Sequence, residues 1–246
     1  MKVEVRGKSA CIVRNVTVKY GSNPHPALEN VSFEASLGEM VMIAGPNGGG
    51  KSTLLKVIVG LVKPVKGNVK VLGRDPFKDP AIRRLIGYVP QITDLNLSAP
   101  LTLRDLVMLP RLAIKSSPWK GPRKEDIESV ERSIKELGLE DHADKRISEL
   151  SGGMLARALI ARVLALDPIL YVMDEPFESM DWESEEITMK VLRREKERGK
   201  LIIVSEHHIS DDHIDYFDRT LLLKRRIIAE GRPRDVIEVY RRLGGS

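Results

Sequence analysis

The stretch GPNGGGKST, Gly45–Thr53, limits the fold of this chain more than any other feature of its sequence. The short apolar run EMVMIAG precedes it and reads as a buried strand. The following STLLKVIVGL has the apolar spacing of a helix. A glycine loop between a strand and a helix is the pattern of a phosphate loop. The sequence therefore predicts a fold that holds phosphate between a buried strand and the next helix.

Each residue type in this phosphate loop has a chemical reason. Its glycines let consecutive backbone N–H groups surround a β-phosphate, Lys51 neutralises the β and γ oxygens, and Ser52 can hold Mg²⁺. The predicted nucleotide-binding residues of the loop are Gly45, Pro46, Asn47, Gly48, Gly49, Gly50, Lys51, Ser52 and Thr53. In the next helix the predicted apolar face comprises Leu54, Leu55, Ile58 and Leu61, with Gly60 and Pro64 ending the helix.

Two later apolar runs, ILYVM and LIIV, read as further buried strands. They are followed by the polar groups DEP and SEHH. Because ligands collect at the carboxyl ends of strands in open α/β sheets, these groups are expected beside the phosphate loop. Asp174 suits a water-mediated contact to Mg²⁺, and Glu175 is placed to polarise a water that attacks the γ-phosphate.

The remaining sequence predicts two additional layers. Residues 3–20 and 31–35 alternate apolar and polar, as antiparallel strands do. In residues 95–165, KEDIESVERSIKELG predicts a helix, and KSSPWKGPRK before it predicts an exposed loop. The helix's apolar stripe is formed by Ile127, Val130, Ile134 and Leu137, with Gly138 as the C-terminal cap.

These patterns predict an α/β fold made of a P-loop NTPase (RecA-like) core with a mostly parallel central sheet, an antiparallel β subdomain and an inserted α-helical subdomain. The whole chain, 1–246, is expected to form one nucleotide-binding domain. Its core with the antiparallel subdomain would span 1–94 and 166–246, and the helical subdomain about 95–165.

Composition excludes several other classes of protein. The net charge is +5, from 40 basic and 35 acidic residues, and aromatic residues make up only 4% of the chain. The charge alone does not identify a partner, and no nucleic-acid partner is expected. The longest apolar region, 158–173, contains Arg162 and Asp167, which argues against a transmembrane helix. Cys11 is the only cysteine, which rules out an intramolecular disulfide and fits a reducing compartment.

A second anion site is indicated by SELSGGMLAR, Ser148–Arg157. A serine and two glycines at the start of a predicted helix offer a hydroxyl and free backbone N–H groups to an anion. The chain contains only one phosphate loop, so this second site raises the question of whose phosphate it holds.

At this point the sequence resembles the ATP-binding cassette family. LSGGM, Leu150–Met154, looks like the signature segment of that family, and it precedes MDEP at the family's spacing. In that family two subunits pack head to tail, and each signature segment contacts the γ-phosphate held by the other subunit. The resemblance implies that Ser151, Gly152 and Gly153 contact the ATP of a second copy of this chain.

Four other positions match the family's functional residues. The resemblance implies that Tyr20 stacks on adenine, although a tyrosine buried in a strand is the alternative. Gln91 matches the glutamine that contacts Mg²⁺ and reports to the membrane partner. Asp181 in ESMD matches the acidic residue with which the family contacts the second subunit of the dimer. His207 matches the family's catalytic switch histidine, and His208 stands where the family usually has aspartate.

Two positions depart from the family's pattern. Gly49 replaces a common serine, which removes a side chain but no backbone donor, so ATP binding is expected to survive. Met154 replaces the glutamine that usually ends the signature segment, and this change is expected to alter a contact across the dimer or to the helical subdomain. ATP turnover is expected to be intact or slowed.

The spacing from YVPQ through LSGG to DEPF is most similar to the ATPases of manganese, zinc and iron uptake systems. This resemblance implies an ATP-hydrolysing subunit that uses ATP and Mg²⁺ at the cytoplasmic face of the membrane. Its partners would be a second copy of itself, integral membrane permease subunits and, indirectly, a solute-binding protein. Alternatives are a siderophore or other importer, an exporter, a soluble cassette ATPase outside transport, which would be fully or weakly active, and a non-catalytic regulatory cassette.

Overall fold

The computed structural model describes residues 9–21, 24–94, 98–113, 121–207 and 213–243. The strands of this part of the chain are β1 Ser9–Val18, β2 Leu28–Ser36, β3 Met40–Ala44, β4 Lys66–Val71, β5 Ile86–Val89, β6 Leu170–Asp174, β7 Leu201–Glu206, β8 Arg219–Lys224 and β9 Arg226–Gly231. The α-helices are α1 Lys51–Ile58, α2 Leu103–Ala113, α3 Lys124–Glu136, α4 Gly152–Leu166, α5 Trp182–Glu197 and α6 Pro233–Arg242. Among the described helices, none combines the length and the apolar character that a membrane span requires.

The central sheet has six strands in the order β5-β6-β7-β3-β8-β9. The first five of these are parallel neighbours, and β9 pairs with β8 in the antiparallel direction. Because β3 and β7 are parallel neighbours, the chain between them serves as the crossover connection that parallel strands require. The predicted mostly parallel sheet is confirmed, and it places the carboxyl ends of β3, β6 and β7 side by side.

A separate antiparallel sheet has three strands in the order β2-β1-β4. Val13 is central in it and pairs with Phe33 on one side and Val69 on the other. The predicted antiparallel layer is therefore present. The first strand begins at Ser9 in the described part of the chain, and residues 3–8 of the prediction lie outside the described residues.

Alternate residues of β3 face two separate hydrophobic cores, because successive side chains of a strand point to opposite faces. Met40, Met42 and Ala44 pack in a core with α2 to α6. Val41 and Ile43 pack on the other face, with α1 and the antiparallel sheet. All five side chains are inaccessible to solvent. Burial on both faces explains why this strand is apolar throughout.

Helix α1 is shorter than the sequence predicts. It ends at Ile58, and Leu61 lies beyond it with 62% of its surface exposed, so the predicted place of Leu61 on the buried face is wrong. The reason is Gly60, whose φ of +78° turns the chain out of the helix and whose α-carbon approaches Pro76 too closely for a side chain.

Helices α2, α3 and α4 pack against one another in the segment predicted to be helical. Val130, Ile134 and Leu137 are buried as the stripe predicts, whereas Ile127 is 45% exposed and its predicted place on the stripe is wrong. The buried face of α3 also includes Asp126, Ser129 and Ser133, so it is rotated away from Ile127 relative to the predicted apolar stripe. Gly138 has φ +63° directly after α3, as a C-terminal cap requires.

Helix α4 lies directly against the edge strand β5. A β-carbon on Gly87 would lie 2.1 Å from Cγ1 of Val163, so only glycine lets α4 approach β5 this closely. The shared apolar core joins the helical segment to the central sheet. The boundaries at residues 95 and 165 therefore stay a prediction. Of the predicted loop Lys115–Lys124, residues 115–120 lie outside the described residues, and 121–123 are exposed.

Candidate functional site

The phosphate loop lies between β3 and α1, as predicted. Gly48 and Gly50 have φ of +72° and +100°, in the left-handed region that glycine tolerates. The loop also packs on the turn between β8 and β9, where the carbonyl of Gly49 accepts a hydrogen bond of 2.7 Å from the N–H of Arg225. A β-carbon on Gly49 would lie 2.8 Å from the carbonyl oxygens of Leu223 and Pro46, so this close packing accounts for glycine at that position.

Lys51 is the first residue of α1, and its ammonium group is buried. Its Nζ donates hydrogen bonds to the carbonyl oxygens of Gly45 at 2.9 Å and Pro46 at 3.3 Å. It also forms an ion pair of 3.1 Å with Oε1 of Glu175. The predicted phosphate-binding lysine and the predicted water-polarising glutamate are therefore in direct contact.

Asp174 ends β6 and is held by two hydroxyl groups. Its Oδ1 accepts hydrogen bonds from Ser52 Oγ at 3.1 Å and from Ser205 Oγ at 2.7 Å. Its Oδ2 is buried and has no hydrogen-bond partner among the described residues. Burial raises the pKa of the Asp174 carboxyl, and the hydrogen bonds from Ser205 and Ser52 oppose that rise.

This arrangement fits Mg²⁺. A buried carboxylate oxygen that lacks a partner, next to the hydroxyl of Ser52, provides the hard oxygen donors that Mg²⁺ prefers. A nearby cation also favours the charged form of a buried carboxyl. Ser52, Asp174 and Gln91 are the residues that would hold the ion, directly or through water.

Glu175 is the centre of a cluster formed by Lys51, Gln91, Glu175 and His207, which we call the catalytic cluster. Gln91 Nε2 donates a hydrogen bond of 2.7 Å to Glu175 Oε2, and His207 Nδ1 lies 3.6 Å from the same oxygen. The backbone of Glu175 has φ +48°, and its N–H donates to Ser205. An unusual backbone conformation held by a neighbouring strand is typical of functional sites.

The catalytic cluster borders an open cleft of about 540 Å³. The cleft is lined by Ala27, Asn47, Gly48, Gly49, Gly50, Lys51, Ser52, Thr53, Gln91, Thr93, Glu175 and Glu178. Tyr20 stands near one end of it, because its hydroxyl lies 3.4 Å from Thr53 Oγ1. Tyr20 is 49% exposed, so the alternative of a tyrosine buried in a strand is wrong. Its predicted stacking on adenine stays a prediction.

The signature segment is not part of this cleft in the same chain. Ser151 caps α4 by accepting a hydrogen bond of 3.2 Å from the N–H of Met154. Gly152 and Gly153 pack against Ser179, where β-carbons would lie 3.1 Å from Ser179 Cβ and 2.9 Å from its carbonyl oxygen. The structure thus brings together the predicted site residues except Ser151, Gly152, Gly153 and Asp181.

Asp181 has a visible structural role. Its Oδ1 accepts a hydrogen bond of 2.9 Å from the N–H of Ser184, which caps α5. The hydrogen bonds from Ser184 lower the pKa of the Asp181 carboxyl. A contact of Asp181 with a second copy stays a prediction.

The sequence analysis missed Ser205 as a site residue. Its hydroxyl orders Asp174, and its backbone and side chain both accept from the N–H of Glu175. The signal was available, because Ser205 is the first polar residue after the buried run LIIV, at the edge where the phosphate loop lies. His208, named in the sequence analysis in place of an aspartate, lies outside the described residues.

A parallel sheet with a phosphate loop, a magnesium-type aspartate and a glutamate beside the loop lysine defines a P-loop nucleoside-triphosphatase. The family model described as ABC transporter matches residues 28–178, which is more than half of the chain. The chain belongs to the ABC (ATP-binding cassette) transporter family. It is therefore an ATPase that uses ATP and Mg²⁺, and the resemblance in the sequence is confirmed.

Individual relatives cover most of the chain. The manganese transport system ATP-binding protein of Halalkalibacterium halodurans is 41% identical over 225 residues, 91% of this chain and 86% of that protein. The zinc transport system ATP-binding protein of Treponema pallidum is 40% identical over 220 residues, 89% of this chain and 80% of that protein. A solved dimeric ATP-binding cassette in a post-hydrolysis state, bound to ADP and Pi, superposes with a TM-score of 0.81 at 31% identity, over 91% of this chain and 99% of that one.

Proposed function

We propose that this chain is the ATP-hydrolysing subunit of an importer for a transition-metal ion, most closely allied to manganese, zinc and iron uptake. The observation that supports this proposal is the set of relatives. The manganese and zinc transport proteins are 41% and 40% identical to it, and a Yersinia pestis protein named for chelated iron transport is 36% identical over 89% of the chain. Their names describe transport of first-row transition metals.

In this proposal the chain works at the cytoplasmic face of a membrane through integral permease subunits. A solute-binding protein would deliver the metal ion on the other side. Two copies of the chain would pack head to tail, so that the signature segment of one copy faces the phosphate loop of the other. This pairing is supported by the position of Ser151, Gly152 and Gly153, which pack on Ser179 and do not line the cleft of their own chain.

The catalytic cluster supports phosphoryl transfer from ATP to water. In such reactions the protein contributes mainly positioning and neutralisation of charge. Lys51 would neutralise the phosphate oxygens, and Ser151 of the second copy would donate a hydrogen bond to the γ-phosphate. Bound Mg²⁺ would add positive charge beside the β and γ oxygens. Glu175 would orient and polarise the attacking water, while Gln91 and His207 hold its carboxylate in place.

The first test is Glu175→Gln, which keeps the size of the side chain and removes the base. ATP binding should persist, and phosphate release should fall by about 100-fold or more, as expected when a general base is lost. Glu140→Gln is the matched control, because Glu140 is exposed and lies in the helical segment away from the cluster. Near-normal phosphate release from Glu175→Gln would contradict the role of Glu175.

The second test addresses the cargo. The chain would be purified with its permease subunits, placed in sealed vesicles and supplied with Mg-ATP together with Mn²⁺, Zn²⁺ or Fe²⁺. ATP-dependent movement of one of these ions, absent with Glu175→Gln, is the expected result. Hydrolysis without movement of any of the three ions would reject the metal cargo while leaving the ATPase assignment intact.

A further inference from the structure

A buried histidine lies between two carboxylates at the start of α5. His213 is 3% exposed. Its Nδ1 lies 2.6 Å from Oε1 of Glu185, and its Nε2 lies 3.2 Å from Oε2 of Glu186. We call these three side chains the histidine clamp. The catalytic cluster does not include any of them.

A carboxylate only accepts hydrogen bonds, so each contact of the His213 ring is a hydrogen bond when that ring nitrogen carries a proton. A ring with a proton on both nitrogens donates to Glu185 and Glu186 at once and joins the two carboxylates. The hydrogen bonds from Lys190 and then from His213 lower the pKa of the Glu186 carboxyl, which keeps Glu186 charged. The ring of Tyr216, whose centroid is 5.8 Å from that of His213, covers another side.

A third carboxyl, that of Glu206, lies near the two carboxylates of the clamp. Burial raises the pKa of Glu206 well above its ordinary value, and the neighbouring carboxylates of Glu175 and Glu185 raise it further. Burial thus favours the protonated form of the Glu206 carboxyl beside the clamp. It accepts a hydrogen bond of 3.4 Å from the N–H of Phe177, in the turn that follows Glu175.

The clamp is placed where it can affect the catalytic cluster. Along the chain, His213 follows His207, which contacts Glu175 at 3.6 Å. Glu185 lies in the first turn of α5, one turn after the capping residue Asp181. The clamp thus ties the chain beyond His207 to the helix that begins just after Glu175. Ser205 and Glu206 make two further links between the same two stretches, to Glu175 and Phe177 respectively.

We propose that His213 is a positioning residue for ATP hydrolysis, which holds His207 against Glu175 by binding Glu185 and Glu186. The inference rests on the proposed roles of Glu175 and His207 and extends them to a residue outside the catalytic cluster. Loss of the clamp lets His207 shift from Glu175. A displacement of about 1 Å at a catalytic group can reduce the rate by about 100-fold. ATP binding at the phosphate loop is unaffected.

The test compares His213→Ala and His213→Lys with the parent chain by steady-state phosphate release. His142→Ala is the matched control, since His142 is a partly buried histidine in the helical segment, remote in sequence from the clamp. His213→Ala should lower kcat by about 10- to 100-fold, with KM for ATP unchanged to about twofold. Circular dichroism would check that each variant is folded. If His213→Ala does not fold, the double variant Glu185→Gln with Glu186→Gln takes its place, with the same expected loss of kcat.

Rescue by another donor distinguishes positioning from simple packing. His213→Lys places an ammonium group, which donates up to three hydrogen bonds, between Glu185 and Glu186. Its kcat should therefore lie well above that of His213→Ala. Equal kcat for the parent and the folded clamp variants, or equal kcat for His213→Ala and His213→Lys, would overturn the inference. A parent without any ATP turnover would overturn the proposed function, and the inference with it.

Discussion

The buried ion pair between Lys51 and Glu175 allows a quantitative prediction. The two charged atoms are 3.1 Å apart, and the side chains are 4% and 6% exposed. At an effective dielectric constant of about 20, their attraction is about 5 kcal/mol. Removing both charges from water costs several kcal/mol for each ion, which offsets much of that attraction. We therefore expect strong coupling between the two side chains and only a small net contribution to stability.

Single substitutions should be costly because each leaves one buried charge. Lys51→Met leaves the Glu175 carboxylate with Gln91 and His207, and we expect a loss of about 3 kcal/mol in the free energy of unfolding. Glu175→Gln leaves Lys51 with its two carbonyl acceptors, and we expect a loss of about 1–2 kcal/mol. The double variant carries neither charge, so its loss should be about 2 kcal/mol smaller than the sum of the two.

The assay is urea unfolding without nucleotide, followed by circular dichroism, for the parent, both single variants and the double variant. An exposed pair, Arg226 with Glu29, provides the control cycle, and it should show no measurable coupling. Additive losses for Lys51 and Glu175, to about 0.5 kcal/mol, would refute the reasoning that the buried pair acts as a unit.

Two further predictions concern the interior. Gly49→Ser, which restores the residue common in the family, should lower the free energy of unfolding by about 1–3 kcal/mol. The reason is that its β-carbon would lie 2.8 Å from two carbonyl oxygens. An unchanged midpoint of thermal unfolding would contradict this prediction. Burial raises the pKa of the Cys11 thiol to about 12, so an aromatic disulfide reagent at about pH 8 should label Cys11 only after unfolding in urea. Labelling of the folded chain at the rate of a free thiol would show that Cys11 is accessible.

The sequence predicted the parts of the site that depend on local order. Strand, glycine loop and helix are contiguous, and the polar residues after β6 and β7 follow from the rule for the carboxyl ends of parallel strands. Asp174 and Glu175 were found in this way. The contact of Gln91 with Glu175 was not predictable, because the two residues are far apart in sequence and meet only through the pairing of β5 with β6.

Other differences have equally specific causes. The spacing of apolar residues does not reveal buried polar side chains, and burial of Asp126, Ser129 and Ser133 rotates the buried face of α3 away from Ile127. The left-handed backbone of Gly60 ends α1, which leaves Leu61 exposed to solvent. His213 carried no sequence signal, since a lone histidine has no pattern until the fold places two carboxylates beside it. The contacts predicted for Ser151, Gly152 and Gly153 with a second copy depend on a surface outside this chain.

The close contact of Gly87 with Val163 gives α4 a fixed point about which the helix can tilt. It fixes the helix against the sheet near one end, while the signature segment lies at the other. Eleven residues separate Val163 from Gly152, which corresponds to about 16 Å along a helix. Tilting α4 by about 10° around this fulcrum would move its first turn by about 3 Å, the length of one hydrogen bond. In the proposed dimer, a shift of that size at the first turn of α4 would be enough to make or break the hydrogen bond of Ser151 to a phosphate in the other copy.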